Sequence, residues 1–352
     1  MRHLLAVCAV DEPGGAEIGL FRLLARLTTR GWDATVTTPS GLRGATALPV
    51  GGLDRGAGAR AVLSWPRARR LARDADVVYL NGGVPARLVP ALRGHRTVLH
   101  VHDLVARMPR HWRAADAVLA DSRAVADRLP GLKAEVVGCP VELDPPATEP
   151  PWPPGDGPVV GFVGRIEPRK GPRTLVEAAP LLRERLPGVR VVIVGDDPYN
   201  SDPAYLAAVR ASTEVEHYGW AQNAPGLMRH LDVLVAPSTE EPFGTVAAEA
   251  MAVGTPVVAS RVDGLRDVVE DGVTGRLVPP GDPRALSAAI LDVLERRDEM
   301  GIAARERAQR FGADAYADRV EAILDRVARG EPSGEPDHPA SELRAPGEGV
   351  RQ

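Results

Sequence analysis

Two glutamates, eight residues apart, stand in the stretch of this sequence that is richest in candidate chemistry. Glu241 precedes a predicted helix and Glu249 lies inside it. Pro242 suits the first helical turn, and Gly244 and Thr245 would place backbone N–H groups at the helix N-terminus, where a diphosphate can bind. A rise of about 1.5 Å per residue separates the carboxylates by ~10 Å along the axis. The stretch could therefore grip the hydroxyls of two sugars, with phosphates between them.

Each of these glutamates also has a plainer interpretation. Glu241 could only compensate the helix dipole, and Glu249 could be a surface residue. Glu249 stands, however, among alanines and a methionine, in a helix that is apolar on most faces. A glutamate in such a setting needs a partner or a ligand, so the pattern favours a binding role.

A predicted strand, a glycine turn and two spaced cations form the second candidate stretch. Gly164 and Arg165 follow the strand at 159–163, and Lys170 comes just before a helix. Arginine offers a planar fork of donors and lysine a point charge. Together they could neutralise a pyrophosphate leaving group, which is the work of a divalent metal in other sugar transferases. The alternative is an ordinary loop with surface charges.

Polar segments also follow predicted strands in the N-terminal half. Gly14 and Gly15 open a helix after the first strand, where glycine lets the backbone approach a phosphate closely; a tight turn is the alternative. His100 and His102 end another strand on the same face. His100 is as readily interpreted as a core histidine with its hydrogen bonds satisfied. Asp121–Ser122 precedes a helix and is first of all an N-cap.

Elements that could position these residues alternate along the chain. Short apolar runs, typical of parallel strands buried on both faces, are separated by amphipathic helical patterns. The strands are expected at 4–10, 34–37, 77–80, 97–101, 117–120, 134–137, 159–163, 190–194, 215–217, 233–235, 257–259 and 276–278. The pattern predicts two Rossmann-like α/β domains, whose ligands bind beyond the carboxyl ends of the strands.

A proline-rich segment divides the two halves. Residues 1–143 are predicted to form an N-terminal, acceptor-binding domain, 144–157 a semi-rigid linker, and 158–312 a nucleotide-sugar-binding domain. A last helix at 313–329 could return to the N-terminal domain. The tail at 330–352, rich in Glu, Pro, Ser and Gly, is expected to be disordered.

Composition excludes several classes of protein. The chain has 352 residues, enough for two domains, and its formal net charge of −4 argues against a nucleic-acid partner. Cys8 and Cys139 lack metal-ligand spacing, so neither a disulfide nor a metal site is expected. No run of about 18 apolar residues occurs, which argues against a membrane span. The apolar start is interpreted as the first strand of a cytoplasmic protein and not as a signal peptide.

One basic cluster interrupts this mildly acidic composition. Four arginines stand at 67, 69, 70 and 73. The plainer interpretation is the solvated face of a helix. The alternative is a patch that touches anionic lipid or an acidic substrate, with the protein at the inner face of a membrane.

The two C-terminal stretches resemble the retaining family-four glycosyltransferases of the GT-B fold. The shared pattern is Gly-Arg, then Lys-Gly, then Glu and a second Glu after seven residues, within Pro-Ser…Glu-Pro-Phe-Gly, and it continues through 270–283. The resemblance implies two Rossmann-like domains facing a cleft. It also implies metal-independent transfer, with retention, from a nucleotide diphosphate sugar (a UDP- or GDP-sugar) to an acceptor hydroxyl, with no further cofactor. The acceptor could be a lipid, a polysaccharide end or a small natural product.

The resemblance also assigns roles to residues. Glu241 would bind hydroxyls of the donor sugar and Glu249 the ribose. The implied catalytic residues are His102, Arg165, Lys170 and Glu241. The implied nucleotide-sugar-binding residues are Gly15, Gly164, Arg165, Lys170, Glu241, Phe243, Gly244, Thr245 and Glu249.

One stretch departs from the family pattern. The family usually has Gly-Gly, two residues and Glu after the strand that ends at Ser260, whereas this chain has Asp263-Gly264-Leu265-Arg266-Asp267. The first glycine is thus an aspartate, and the glutamate is the shorter Asp267. The departure leaves open how this segment contacts the donor.

Three rival functions were weighed. A Rossmann oxidoreductase would need Gly-x-Gly-x-x-Gly after the first strand, and residues 10–19 lack that spacing. A metal-dependent transferase would need Asp-x-Asp at a strand end, whereas Asp74-Ala75-Asp76 lies before a strand. A non-catalytic protein that binds sugar nucleotides would hold the donor but never turn it over.

Overall fold

The computed structural model describes residues 2–52 and 57–331. The chain divides into two compact units. Within the described residues, the first unit comprises those up to Pro140 and from Ala313 onward, and the second comprises Val141–Gly312. Apart from its first two residues, the tail predicted to be disordered lies outside the described residues.

The first unit is built on a parallel sheet of seven strands in the order β3-β2-β1-β4-β5-β6-β7. The strands are β1 (Arg2–Val7), β2 (Trp32–Thr38), β3 (Thr46–Ala47), β4 (Val77–Asn81), β5 (Thr97–Val101), β6 (Ala117–Ala120) and β7 (Ala134–Val136). Every residue of β4, β5 and β6 is buried. These strands are continuous apolar runs because helices cover both faces of a parallel sheet.

Four helices connect the strands of this sheet. They are α1 (Gly15–Thr29), α2 (Ala57–Ala61), α3 (Trp65–Ala72) and α4 (Arg123–Asp127). The longest of them, α1, buries Leu20, Leu23, Leu24 and Leu27 against the sheet. That spacing places the four leucines on one stripe of the helix, which fixes the direction in which α1 leaves the glycine loop.

The second unit contains a parallel sheet of six strands in the order β10-β9-β8-β11-β12-β13. The strands are β8 (Val159–Val163), β9 (Arg190–Val194), β10 (Glu216–Tyr218), β11 (Val233–Ala236), β12 (Val257–Ser260) and β13 (Gly275–Val278). The helices are α5 (Pro172–Arg185), α6 (Pro203–Arg210), α7 (Ala224–Met228), α8 (Thr245–Ala252), α9 (Leu265–Val268), α10 (Pro283–Glu295) and α11 (Arg297–Ala308).

Both sheets reverse their strand order once near the middle. The reversal lies between β1 and β4 in the first unit and between β8 and β11 in the second. Loops that leave two such strands diverge and open a crevice at their carboxyl ends, which is where open α/β sheets bind ligands. The two predicted chemical stretches of the second unit follow β8 and β11, the pair at this position.

The last described helix, α12 (Ala313–Arg329), belongs to the first unit. One face of α12 is apolar, and it packs into the same core as α1 and β4. The buried residues of this face are Tyr316, Ala317, Val320, Ile323, Leu324 and Val327. The chain thus completes the core of its first unit with its last helix.

The proline-rich segment at 144–157, predicted as a linker, packs along the second unit. Trp152 is buried, with its ring centroid 5.8 Å from that of Tyr218. Arg190 donates to the carbonyl of Pro153 (2.5 Å), and Arg229 donates to that of Pro145 (2.8 Å). Proline lacks an N–H but keeps its carbonyl acceptor, so side chains of the unit can hold this segment in place.

Some elements differ from the sequence-based expectation. The amphipathic pattern at 60–73 predicts a single helix, which the structure divides into α2, a 3₁₀ turn at Val62–Ser64 and α3. Pro66 lies in the first turn of α3, where its missing N–H costs nothing. The helix expected from Phe243 begins at Thr245. None of the described helices is long and apolar enough to cross a membrane.

Replacing Leu324 by Ala should lower the free energy of unfolding of the first unit by about 2–5 kcal/mol, because it leaves a cavity in a closed core. Asp314→Ala on the same helix is the control. It removes an exposed pair with Arg26, which is worth at most about 1 kcal/mol. Amide hydrogen exchange in β1 and β4 measures the change. Loss of protection only in the second unit would contradict the assignment of α12.

Candidate functional site

An ion pair between Lys170 and Glu241 is the centre of the candidate site in the second unit. Lys170 Nζ lies 2.5 Å from Glu241 Oε2, and both side chains are largely shielded from solvent, with 18% and 8% exposed. The Ser238 hydroxyl donates to the same carboxylate oxygen at 3.2 Å. Such shielding strengthens a charged hydrogen bond relative to one at the surface. Both contacts use Oε2, so Oε1 is the oxygen of Glu241 best placed for a ligand.

Backbone packing brings these two side chains together. Gly171, directly after Lys170, has a φ of +66°, and a Cβ added there would lie 2.2 Å from the carbonyl oxygen of Pro237. Thr239 N–H donates to the carbonyl of Arg169 (2.9 Å). Glycine is needed at 171 for both its conformation and its lack of a side chain. The segments that follow β8 and β11 therefore touch backbone to backbone.

The N-terminus of α8 lies directly after Glu241 in the chain. Gly244 is its N-cap, in a left-handed conformation with φ of +103°, and its carbonyl accepts from the N–H groups of Ala247 and Ala248. The amides of Thr245 and Val246 belong to the first turn, whose N–H groups have no partner within a helix. Together with the helix dipole, these amides favour an anionic group.

Asp263, where the family usually has glycine, also contacts this turn. Its φ is +35°, in the left-handed region that aspartate tolerates better than most residues. Its carboxylate accepts from the Glu241 N–H (3.2 Å), and the Gly264 N–H donates to the Glu241 carbonyl (3.0 Å). The 263–264 segment thus holds the backbone of Glu241 at two points.

Arg165 contacts residues other than Lys170 and Glu241. Its guanidinium is 3.1 Å from Glu167 and stacks over the ring of Tyr199, 5.6 Å from the centroid. Glu167 also binds Arg169 (3.0 Å). Among the described residues, no hydrogen bond or ion pair joins Arg165 to Lys170 or Glu241. Of these three predicted residues, the structure therefore joins Lys170 directly to Glu241 and Arg165 to Glu167.

The remaining predicted residues of the second unit lie in α8, directly before it, or after β8. Glu249 is half-buried within α8. Phe243 is buried, and its ring packs edge-to-face on Phe311. Gly164 ends β8 with a φ of +147°. A Cβ at Gly195 would lie 1.8 Å from the Gly164 carbonyl oxygen, so the backbones after β8 and β9 are also in close contact.

In the first unit, His102 is held by two side chains. Its Nδ1 lies 3.0 and 3.1 Å from the oxygens of Asp121, and its Nε2 lies 2.9 Å from Asn81 Oδ1. Burial lowers the pKa of His102, but the charges of Asp121, Asp103 and Glu17 outweigh that effect and raise it. His102 is therefore fixed at both ring nitrogens, and neither is left to act as a general base.

His100 shares the carboxylate of Asp121 but differs in charge. Its Nε2 lies 2.7 Å from Asp121 Oδ1, off the line of a good hydrogen bond, and its Nδ1 lies 2.5 Å from the Tyr79 hydroxyl. Burial, followed by the charge of His102, lowers the pKa of His100 to about 4. Burial raises the pKa of Asp121, but the two histidines outweigh it, and its pKa is lowered.

The glycine loop of the first unit connects to this cluster through Glu17. Gly15 is the first residue of α1, and the N–H of Gly14 donates to Glu17 Oε2 (3.1 Å). Glu17 Oε1 lies 3.5 Å from Asn81 Nδ2, a long hydrogen bond. The residue before the predicted Gly15 and the predicted His102 thus belong to one polar network.

The same cluster contains side chains of the types that bind metals. Ligand atoms of His100, His102 and Asp121 lie within 4.8 Å of one another. Ligands at about 2.1 Å from a tetrahedral zinc ion are ~3.4 Å apart, whereas Asp121 lies at 2.7 and 3.0 Å from the two rings. These distances favour direct hydrogen bonds and ion pairs over ligation.

A family model and a relative that spans the whole chain identify the family. The model described as glycosyl transferases group 1 matches residues 157–296. The chain is 30% identical to the phosphatidyl-myo-inositol mannosyltransferase of Mycobacterium leprae, over 90% of this chain and 94% of that protein. The chain belongs to the group 1 glycosyltransferase family. The predicted family and enzyme class are confirmed.

Other relatives match only in part. D-inositol 3-phosphate glycosyltransferases of Geodermatophilus obscurus and Kineococcus radiotolerans are 38% and 41% identical, over 49% and 50% of this chain. The alignments cover 41% and 47% of those proteins, so the chain spans less than half of their length.

Solved structures of low sequence identity share the fold. Anabaena HepE in complex with UDP and glucose is 23% identical with a TM-score of 0.76, covering 92% of this chain and 100% of that one. A sucrose-phosphate synthase from Thermosynechococcus elongatus is 24% identical with a TM-score of 0.79, covering 94% and 100%. The predicted GT-B fold of two Rossmann-like domains is confirmed.

Sequence reasoning missed several polar residues of both clusters. Asn81, at the end of β4, belongs to no recognised pattern, and Ser238 lies within the Pro-Ser…Glu-Pro-Phe-Gly pattern but was given no role of its own. Asp121–Ser122 was interpreted first as an N-cap. Ser122 does cap α4, accepting from the Val125 N–H, whereas Asp121 binds the two histidines. The usable signal was position alone, since each missed residue stands at the carboxyl end of a strand that is next to the point of reversal or at most two strands beyond it.

The lowered pKa of His100 predicts acid sensitivity. The unfolded chain binds a proton at this histidine near pH 6.5, whereas the folded chain binds it only near pH 4. Stability should therefore fall as the pH is lowered from 6.5 towards 4. In His100→Gln, urea unfolding midpoints should depend less on pH across this window. His95→Gln, a change at a half-buried histidine outside the network, should keep the wild-type slope; equal slopes in both variants would contradict the assignment.

Proposed function

We propose that the chain transfers a sugar from a nucleotide diphosphate sugar to an acceptor hydroxyl, with retention of configuration and without a metal ion. The observation that carries this proposal is the shielded Lys170–Glu241 pair beside the N-terminus of α8. One cation, exposed amides and a carboxylate stand together, which suits a ligand that carries phosphates and sugar hydroxyls.

In the second unit, Lys170 and Glu241 carry opposite charges and therefore bind different parts of the donor. Lys170 Nζ and the amides of Thr245 and Val246 take the diphosphate, and Oε1 of Glu241 accepts from hydroxyls of the donor sugar. Glu249, further along α8, takes the ribose. Arg165 joins the phosphate site if its guanidinium leaves Glu167. This assignment extends the family resemblance to individual side chains.

The chemical step needs charge stabilisation more than a protein nucleophile. Cleavage of the bond between the sugar and the diphosphate places negative charge on the leaving phosphate. Lys170 and the helix amides are fixed where that charge develops, so they stabilise the transition state without reorganising. In a front-face route the departing phosphate accepts the proton of the acceptor hydroxyl, which enters on the same face.

For the acceptor we propose an anionic, inositol-containing lipid or phosphate that binds to the first unit. Named relatives act on phosphatidyl-myo-inositol or D-inositol 3-phosphate. Around α3, exposed Leu63 (83%) stands beside the exposed arginines at 67, 69, 70 and 73. Apolar tips among cations suit the surface of an anionic bilayer, so we place the protein at the cytoplasmic face of a membrane.

Thermal shift with UDP- and GDP-sugars, and with the free nucleotides, tests the donor site by mass action. Lys170→Ala should weaken the stabilisation by both the nucleotide and its sugar conjugate, and should lower kcat about 10²–10³-fold. Glu241→Gln should weaken only the stabilisation by the sugar conjugate, since its carboxylate is assigned to the sugar.

Lys133→Ala and Glu240→Gln are matched controls at exposed positions. Both should behave as wild type. If no nucleotide sugar raises the melting temperature of the wild-type chain, the donor site is wrong. Stabilisation without turnover on any acceptor would instead favour a non-catalytic binding protein.

Vesicle co-sedimentation tests the membrane surface. Arg67→Gln/Arg70→Gln should reduce binding to vesicles that contain anionic lipid, since each basic residue contributes about 1 kcal/mol near such a surface. Arg173→Gln/Arg185→Gln removes the same charge from exposed positions of the second unit and should leave binding unchanged. Equal losses in the two double variants would show that only the net charge matters.

A further inference from the structure

We propose that Asp121 and Asn81 are positioning residues that hold His102 in its doubly protonated form. The same chain of hydrogen bonds continues through Glu17 to the N–H of Gly14, at the start of the glycine loop. The protonation of His102 follows from the hydrogen bonds alone. Its effect on donor binding rests on the proposed function.

The proton on Nδ1 of His102 is set by Asp121. Both oxygens of this carboxylate lie within hydrogen-bond distance of Nδ1, at 3.0 and 3.1 Å. An ionised carboxylate only accepts hydrogen bonds, so Nδ1 must donate. Asp121 is 4% exposed, and a buried carboxylate without such a donor would be costly.

The proton on Nε2 is set by the orientation of the Asn81 amide. Nε2 lies 2.9 Å from Oδ1, and the amide nitrogen Nδ2 faces Glu17 Oε1 at 3.5 Å. A flipped amide would turn its oxygen towards the carboxylate of Glu17, which places two acceptors face to face. Asn81 must therefore present its oxygen to His102, and Nε2 must donate.

In either neutral tautomer of His102, one ring nitrogen lacks a proton and would face another hydrogen-bond acceptor. Without the Nδ1 proton the ring nitrogen faces the Asp121 carboxylate, and without the Nε2 proton it faces the Asn81 oxygen. Both sites are buried, so water cannot readily relieve the conflict. The doubly protonated ring is the form that satisfies every neighbour.

The titratable groups around His102 support this form. Carboxylates of Asp121, Asp103 and Glu17 come from three different elements and favour the charged ring. On β5, His100 would repel it if charged, but its own pKa is lowered. Three more groups near the cluster are neutral because burial raises their pKa, and these are Tyr79 on β4, Tyr316 on α12 and Cys8 after β1.

The network gives the charge a structural consequence at the glycine loop. Glu17 uses Oε2 to hold the Gly14 N–H and Oε1 to meet Asn81. Loss of the Nε2 proton would release Asn81, and Glu17 would lose one of its two supports. If the loop contacts the donor diphosphate, as the family resemblance implies for Gly15, donor binding should weaken as the pH rises through the pKa of His102.

Nitrogen chemical shifts of the histidine rings test the protonation without any donor or acceptor. In the wild-type chain, with His102 assigned by comparison with His102→Gln, both ring nitrogens should be protonated at pH 6.5, and the titration midpoint should lie above 6.5. The neighbouring His100 serves as an internal control, since it should stay neutral at the same pH. A His102 that is neutral at pH 6 would overturn the proposal, whatever the chain catalyses.

Two conservative variants separate the two supports. Asp121→Asn should lower the pKa of His102 by about 1–3 units, because the compensating charge is lost. Asn81→Asp keeps an acceptor for Nε2 of His102 but places a second carboxylate opposite that of Glu17. It should leave His102 protonated and raise the KM for the donor roughly threefold to tenfold, the equivalent of one hydrogen bond, with little change in kcat.

The pH profile distinguishes positioning from a merely structural role. In the wild-type chain the KM for the donor should rise above the pKa of His102, and in Asp121→Asn this rise should move to lower pH. An unmoved profile, together with a shifted His102 pKa, would disprove the link to the loop but not the protonation. Circular dichroism confirms folding, and if Asp121→Asn does not fold, the wild-type titration alone decides the protonation.

Discussion

Close backbone contact at the reversal of the second sheet is the constraint on which the candidate donor site depends. Gly171 lies against the carbonyl of Pro237, and only a residue without a side chain fits there. Because of that contact, Lys170 and Glu241, 71 residues apart in sequence, meet at 2.5 Å. The ion pair is therefore a consequence of how the loops after β8 and β11 pack. The glycine next to the lysine is as much a part of the site as the lysine itself.

Most of the fold could be predicted from the sequence because the patterns of its strands and helices are repeated along the chain. Buried parallel strands read as apolar runs, and the alternation with helices left little choice of architecture. The errors came where local chemistry decided the outcome. Helix α8 begins at Thr245 because Gly244 takes a left-handed conformation. The helix propensities of Glu241, Pro242 and Phe243 do not reveal that conformation. The proline-rich segment at 144–157 is predicted to be a semi-rigid linker, and no pattern shows that two of its carbonyls accept hydrogen bonds from side chains distant in sequence.

The site was only partly accessible for a different reason. A motif predicts which residues face a ligand, and Lys170 and Glu241 are predicted in this way. Residues that face other residues carry no such pattern. Asp263 is visible in the sequence only as a departure from the family, and its contact with the Glu241 N–H depends on a φ of +35°. Arg165 shows the converse, since this charged residue of a matching motif pairs with Glu167 and not with Lys170 or Glu241.

The two units stabilise charge at their reversal points by different means. In the second unit a cation and helix amides stand beside one carboxylate, so positive groups remain for an anionic ligand. In the first unit the charges of His102 and Asp121 largely cancel, and Glu17 is used by Gly14 and Asn81. A cluster whose one cation is already held by carboxylates has little to offer an anion directly, but it fixes the backbone around it. The first unit is thus suited to hold a loop in position, and the second to bind an anionic group.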